Sequence, residues 1–139
     1  MPVVFGGRPV PEDEAHSYVD VDNSAASKMA TEYLIGLGCK HIAAITGPQD
    51  MPSAADRAAG YLQAVQAAGV AGPLVESDFT AEGGAKAALE LLDGNEPFDA
   101  VFAASDLMAR AAVKTFIARG LRVPEDIAVV GFDDSPAAV

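Results

Sequence analysis

Four short apolar runs, each followed by a polar turn, constrain this chain more than any other feature. They are Ile42-Ala43-Ala44-Ile45, Leu74-Val75-Glu76, Ala100-Val101-Phe102-Ala103-Ala104 and Ile127-Ala128-Val129-Val130-Gly131-Phe132. Their starts lie 32, 26 and 27 residues apart, with a segment of helical period in each gap. Crossovers of that length join parallel strands, whereas an antiparallel hairpin needs only a few connecting residues. The last two runs are apolar on consecutive residues, the pattern of strands covered on both faces. The expected fold is α/β: a parallel sheet with helices on both faces.

The intervening segments carry helix signals. The first helix follows Val19-Asp20-Val21-Asp22-Asn23-Ser24, where Asp22 or Asn23 can accept hydrogen bonds from unpaired backbone N–H groups. Its predicted inward stripe is Ala26, Met29, Ala30, Tyr33, Leu34 and Leu37, with Gly38 as the left-handed stop. The second starts near Ser53, turns Ala58, Tyr61, Leu62 and Val65 inward, and stops at Gly69. The third begins after Thr80 and presents Ala85, Ala88, Leu89 and Leu92 before Gly94. The fourth runs from Asp106 through Leu107, Ala111 and Phe116 to Gly120.

Charge and cysteine content narrow the function. Twenty acidic residues against nine basic ones give a net charge of −11, which repels a phosphate backbone and argues against nucleic-acid binding by this segment. No apolar stretch approaches the roughly 20 residues that span a membrane, and the N-terminus lacks the pattern of a secretion signal. A single cysteine, Cys39, can form neither an internal disulfide nor a thiolate cluster, so the expected compartment is the reducing cytoplasm.

Ligands of open α/β sheets bind beyond the carboxyl ends of the strands. The polar residues at those ends are Thr46-Gly47-Pro48, Ser77-Asp78-Phe79, Ser105-Asp106 and Asp133-Asp134, joined by Ser53 to Arg57 at the start of the second helix. Hydroxyls, carboxylates, a guanidinium and an aromatic face together suit a polyhydroxylated or heterocyclic ligand. Each residue also has a structural reading. Arg57 fits a surface ion pair, Phe79 fits the core, and Asp106 and Thr80 fit helix caps. Asp133 and Asp134 follow a buried strand where packing has no use for carboxylates.

Catalytic readings find less support. Asp20-Val21-Asp22 has the spacing of a phosphotransferase nucleophile motif, but a capping turn accounts for it more simply. Asp133 and Asp134 could hold Mg²⁺ as in a receiver domain, yet a matching strand-end Lys is missing. His16 and His41 have no nucleophile at a recognisable spacing, and no Walker glycine loop or metal-ligand spacing occurs. No cofactor is expected, and the chain is read as a binding module rather than an enzyme.

The order of several motifs is more specific. Pro2-Val3-Val4-Phe5 with Arg8-Pro9, Val19 to Asn23, Tyr33 to Gly38, Ile42 to Pro48, Ser53-Ala54 with Arg57 and Gly60-Tyr61, Asp78-Phe79-Thr80, Ala100 to Ala109, and Gly120-Leu121-Arg122-Val123-Pro124-Glu125-Asp126 through Gly131-Phe132-Asp133-Asp134 follow one another along the chain. In this the sequence resembles the lactose-repressor (LacI) family of bacterial transcription regulators over essentially its whole length.

The resemblance implies a periplasmic-binding-protein-like sensor with two lobes that close on a sugar, nucleoside or similar metabolite. It implies a homodimer whose operator DNA is bound through a domain absent from this chain. Residues 1–20 would be the last strand of the N-terminal lobe and the hinge crossover. Residues 21–139 would be the C-terminal lobe, ending before its final crossover. Arg57 matches the family's effector-binding arginine, Asp133 its acid after Gly-Phe, and Phe79 an aromatic that stacks on ligand in some members. Ser105 stands where Asn is common, keeping a hydroxyl but losing the amide's simultaneous donor and acceptor. Gly7 stands where many members carry an acid. The alternatives are a transport-type sugar-binding protein of the same fold and an Asp-based phosphotransferase or receiver domain.

Overall fold

Eight elements account for residues 22–132, the part of the chain that the computed structural model describes. In chain order they are α1 (Asn23–Gly36), β1 (Ile42–Thr46), α2 (Pro52–Ala68), β2 (Ala71–Glu76), α3 (Ala81–Asp93), β3 (Ala100–Ala103), α4 (Asp106–Ala118) and β4 (Ala128–Val130). All strand pairs are parallel and the sheet order is β2-β1-β3-β4. The strands start at Ile42, Ala71, Ala100 and Ala128, a more even spacing than the apolar runs suggest. β2 begins earlier than its run because Gly72 and Pro73 sit inside it. Its alternating exposure and its Pro mark an outer strand of the sheet.

α1 and α2 pack together on one face of the sheet, and α3 and α4 on the other. Every residue of β1, β3 and β4 is buried, which explains their continuous apolar character. On the first face, Tyr61 of α2 stacks on Phe102 of β3 with ring centroids 6.0 Å apart. Its hydroxyl donates to the Ile42 carbonyl. Burial pushes the Tyr61 phenol up to about 12, with Glu96 adding to the rise and a backbone hydrogen bond from Gly72 opposing it. On the second face, Phe116 of α4 meets Phe98 at 6.1 Å.

The inward helix faces match the predicted stripes in part: Ala30, Leu34, Ala58, Tyr61, Val65, Ala88 and Phe116 are buried as expected. Met29, Leu37, Leu62, Leu89 and Leu107 are all exposed, at 38 to 54%. Small residues take their places. α1 buries Ser27, Ala30, Thr31 and Leu34, and α2 meets it through Gly60, where a Cβ would come within 2.1 Å of Ser24 O and Ser27 Oγ. Across that contact Ser27 Oγ donates to the Arg57 carbonyl at 2.8 Å. On the opposite face, a Cβ on Gly84 would meet Met108 Cα at 2.7 Å. Close helix approach, rather than large side chains, organises both layers.

The predicted ends of the helices hold, with one exception. Asp22 caps α1 through Ala25 N at 3.0 Å, and Thr80 caps α3 through Gly83 N at 2.8 Å. Gly38 and Gly69 have φ of 93° and 70°, the left-handed geometry that favours glycine. The exception is α4, which is capped by Ser105 through Met108 N at 3.2 Å and not by Asp106. Asp106 instead pairs with Arg110 one turn on, at 3.2 Å.

Candidate functional site at the strand ends

The strand order reverses between β1 and β3, so the crevice beyond their carboxyl ends is the switch point where an open parallel sheet offers a ligand site. Thr46 ends β1, and Ala104 and Ser105 follow β3. Arg57 reaches this point from α2. Its residue is only 5% exposed, which sets aside the reading of a solvated surface arginine.

The surroundings of Arg57 hold a charge that burial alone would disfavour. Nη1 donates to the Ala104 carbonyl at 2.8 Å and Nε to Asn23 Oδ1 at 3.2 Å. The guanidinium carbon lies 4.1 Å from the centroid of the Phe132 ring and 5.7 Å from that of Phe79. A guanidinium over an aromatic face is attracted by the ring quadrupole, more strongly where water is excluded. Arg57 thus ties together the first turn of α1, the end of β3, and the residues that follow β4 and β2.

Phe79 lies in the turn between β2 and α3, half-buried against the core. Its φ is 71°, a left-handed conformation that costs a side chain of this kind about 1–2 kcal/mol. The turn is fastened by Asp78, whose Oδ1 accepts from Thr80 N at 3.0 Å and Thr80 Oγ1 at 2.6 Å. Those hydrogen bonds hold the Asp78 carboxyl below its usual range. Ser105 is buried, and its Oγ accepts from Met108 N, which leaves its proton and one lone pair for other partners.

The structure therefore brings Arg57 and Phe79 together and places Ser105 directly after the carbonyl that Arg57 binds. Asp133 and Asp134 lie outside the described residues, as does the segment 1–20. Asp133 follows Phe132, whose ring packs on Arg57. Three participants escaped the reading of the sequence: Asn23, Phe132 and the Ala104 carbonyl. In the sequence Asn23 reads only as a cap, and the other two belong to apolar runs that signal nothing but a strand.

Two buried polar atoms near these strand ends, Thr46 Oγ1 and Asp106 Oδ1, have no hydrogen-bond partner among the described residues. The carboxylate of Asp99 accepts from Lys40 N at 2.8 Å and His41 N at 2.9 Å, so Cys39 and His41 sit in a pinned turn at the opposite ends of the strands. Burial, and secondarily Asp99, pushes the Cys39 thiol up, away from the thiolate a nucleophile needs. No group of three or more His, Cys, Asp or Glu able to hold a metal occurs among the described residues. No helix among them is long and apolar enough to cross a membrane.

Residues 31–139 match the family described as periplasmic binding protein-like domain. The chain is 51% identical to the HTH-type transcriptional regulator CelR of Thermobifida fusca, over 99% of its own length and 42% of that protein's. Among solved structures, a complex of the transcriptional regulator CelR with cellobiose superposes with a TM-score of 0.78 at 49% identity, covering 96% of this chain and 42% of that one. A sugar-binding transcriptional regulator of the LacI family from Escherichia coli, complexed with phosphate, gives a TM-score of 0.79 at 34% identity, over 93% of this chain and 47% of that one. The chain thus spans less than half the length of these relatives. It belongs to the periplasmic binding protein-like domain family, as carried by LacI-family transcription regulators.

Proposed function

We propose that this chain is the ligand-holding C-terminal lobe of the sensor of a DNA-binding transcription regulator, and that it takes a sugar at its strand ends. The observation that carries the reading is the buried guanidinium of Arg57, held at the switch point by Ala104, Asn23 and two aromatic rings. A planar fork of donors is the group that recognises vicinal hydroxyls. Asp133 is the acceptor that complements it, Phe79 packs on an apolar face of the ring, and Ser105 donates one hydrogen bond. The Ser105 oxygen accepts from the α4 backbone with one lone pair, and its proton remains to donate to a ligand oxygen.

Residues 1–20 then lead out of the other lobe through the hinge, and residues 21–139 form the C-terminal lobe. Ligand closes the two lobes, and the change in their geometry alters operator binding in a dimer. Operator contact itself falls to a domain outside this chain, consistent with the net charge of −11. The CelR–cellobiose complex makes β-linked glucosides the first ligands to try. What Arg57, Phe79 and Ser105 assemble is a set of binding contacts.

The test is a thermal-shift panel of sugars and nucleosides on a polypeptide extended to both lobes. A ligand at a hundredfold excess over its Kd stabilises by about 2.7 kcal/mol, a shift of several degrees. A rise with cellobiose or a related sugar supports the reading, and no rise with any member of the panel contradicts it. The 139-residue chain, holding one lobe, is expected to bind the same ligand weakly and to give no sequence-specific gel shift with DNA.

A further inference from the structure

The turn that carries Phe79 is more elaborate than capping α3 requires. Thr80 alone caps that helix, through Gly83 N. Yet Phe79 stands in the left-handed region at φ 71°, a geometry in which a bulky side chain is strained. The strain is held by contacts on both sides of the residue. Asp78 Oδ1 accepts two hydrogen bonds from Thr80 across Phe79. A Cβ on Gly83 would fall 2.1 Å from that same oxygen, so glycine there makes room for the Asp78 carboxylate.

The ring has a prepared seat. A Cβ on Gly47 would lie 2.3, 2.5 and 2.7 Å from Phe79 Cζ, Cε2 and Cε1. Three nearly equal distances put that position over the face of the ring, not off its edge. Gly47 therefore leaves space for the ring to lie flat on the backbone that follows β1, 5.7 Å from the Arg57 guanidinium.

From these contacts we infer that Asp78 and Gly47 are positioning residues that lock the Phe79 ring into a preset floor for the ligand. Neither needs to touch ligand. Asp78 fixes the backbone angle from which the ring springs, and Gly47 fixes the plane in which it lies. The strained conformation is formed before ligand arrives, so the ordering entropy of the ring is not charged to binding. The inference rests on the sugar-binding reading for its purpose, but its geometry is testable without ligand.

The experiment is proton NMR of the 139-residue chain, with and without cellobiose. An α-proton of Gly47 set over a ring face is displaced upfield from the ordinary glycine range. The expected result is that Asp78→Ala abolishes the displacement and Asp78→Asn, whose amide oxygen accepts the same two hydrogen bonds, keeps it. Phe79→Leu removes the displacement and identifies its source. A purely structural role for Asp78 would lower the melting temperature and leave the Gly47 resonance in place; that result overturns the inference. So does a wild-type Gly47 resonance at an ordinary position. If the displacement follows the expected pattern but a polypeptide extended to both lobes shows no saturation transfer from the ring to cellobiose or to any sugar of the thermal-shift panel, the positioning stands and the sugar reading is what fails.

Discussion

Arg57 donates from Nη1 to the carbonyl of Ala104 at 2.8 Å, joining a helix on one face of the sheet to the end of the strand at its switch point. The bond lies between a charged donor and a backbone acceptor in a site closed to water, so both partners depend on it. It also explains why an arginine so deeply buried is tolerated. Its charge is distributed over a carbonyl, the Asn23 amide and the faces of Phe132 and Phe79.

The contact between α1 and α2 depends on the absence of one side chain. Gly60→Ala places a methyl 2.1 Å from Ser24 O and Ser27 Oγ, and the helices must part. Urea denaturation is expected to show a loss of about 1–3 kcal/mol. Gly36→Ala is the control: nothing lies within 4 Å of the added Cβ, and a gain of up to about 1 kcal/mol is expected.

Tyr61→Phe leaves the Ile42 carbonyl without its hydroxyl donor while preserving the stack on Phe102. The expected loss is about 1–2 kcal/mol by the same measurement. The wild-type phenol, with its pKa pushed up to about 12 in the fold, favours the neutral form. Its contribution is complete below the unfolded pKa near 10 and is lost as pH rises toward 12. An ultraviolet titration should show an ionisation step near 12 that disappears in Tyr61→Phe.

Thr46 Oγ1 is fully buried and has no partner among the described residues. Thr46→Val keeps the shape and removes the unsatisfied hydroxyl, so a gain of about 1 kcal/mol is expected. A loss of stability would show that the hydroxyl is hydrogen-bonded in solution.

Two surface carboxylates give the fold an acid limit. Asp78 is lowered by its hydrogen bonds from Thr80, and Asp126 by those from Arg122, whose Nη2 lies 2.9 Å from Oδ1. For groups depressed in the fold, stability is present above the unfolded pKa and is lost as pH falls through the folded one. The urea midpoint should therefore drop below about pH 4, with a shallower drop in Asp126→Asn. An equal drop in that variant would assign the acid limit to other groups.

The sheet was legible in the sequence because strands buried on both faces have only one way to look, a continuous apolar run. Leu74-Val75-Glu76 was recognised only in part, since its strand opens with Gly72 and Pro73, residues that ordinarily signal a turn. The helices are legible too, and the expected stripes hold at Ala30, Leu34, Ala58, Tyr61, Val65, Ala88 and Phe116, but helical period also assigns Met29, Leu62 and Leu89 to the inward face. That rule fails where two helices approach closely, because the contact selects Ser27, Gly60 and Gly84 and sends Met29, Leu62 and Leu89 outward. The placement of Arg57, Phe79 and Ser105 beside the strand ends was legible from the strand pattern and the family's motif order; that they hold ligand is the proposal. The left-handed turn at Phe79 was not legible, because it is fastened by a carboxylate that reaches across to Thr80, and the seat of its ring is a glycine 32 residues away. Nor was the Ala104 carbonyl, since a backbone acceptor leaves no mark on a sequence.

The central claim is that Arg57 anchors a ligand. It is tested most directly by isothermal titration of the sugar that the thermal-shift panel identifies, on a two-lobed polypeptide carrying Arg57 or Arg57→Lys. Lysine keeps the charge and loses the planar fork. The account predicts a folded variant whose affinity falls at least about tenfold, or 1.4 kcal/mol. An unchanged Kd in a folded Arg57→Lys protein would contradict it.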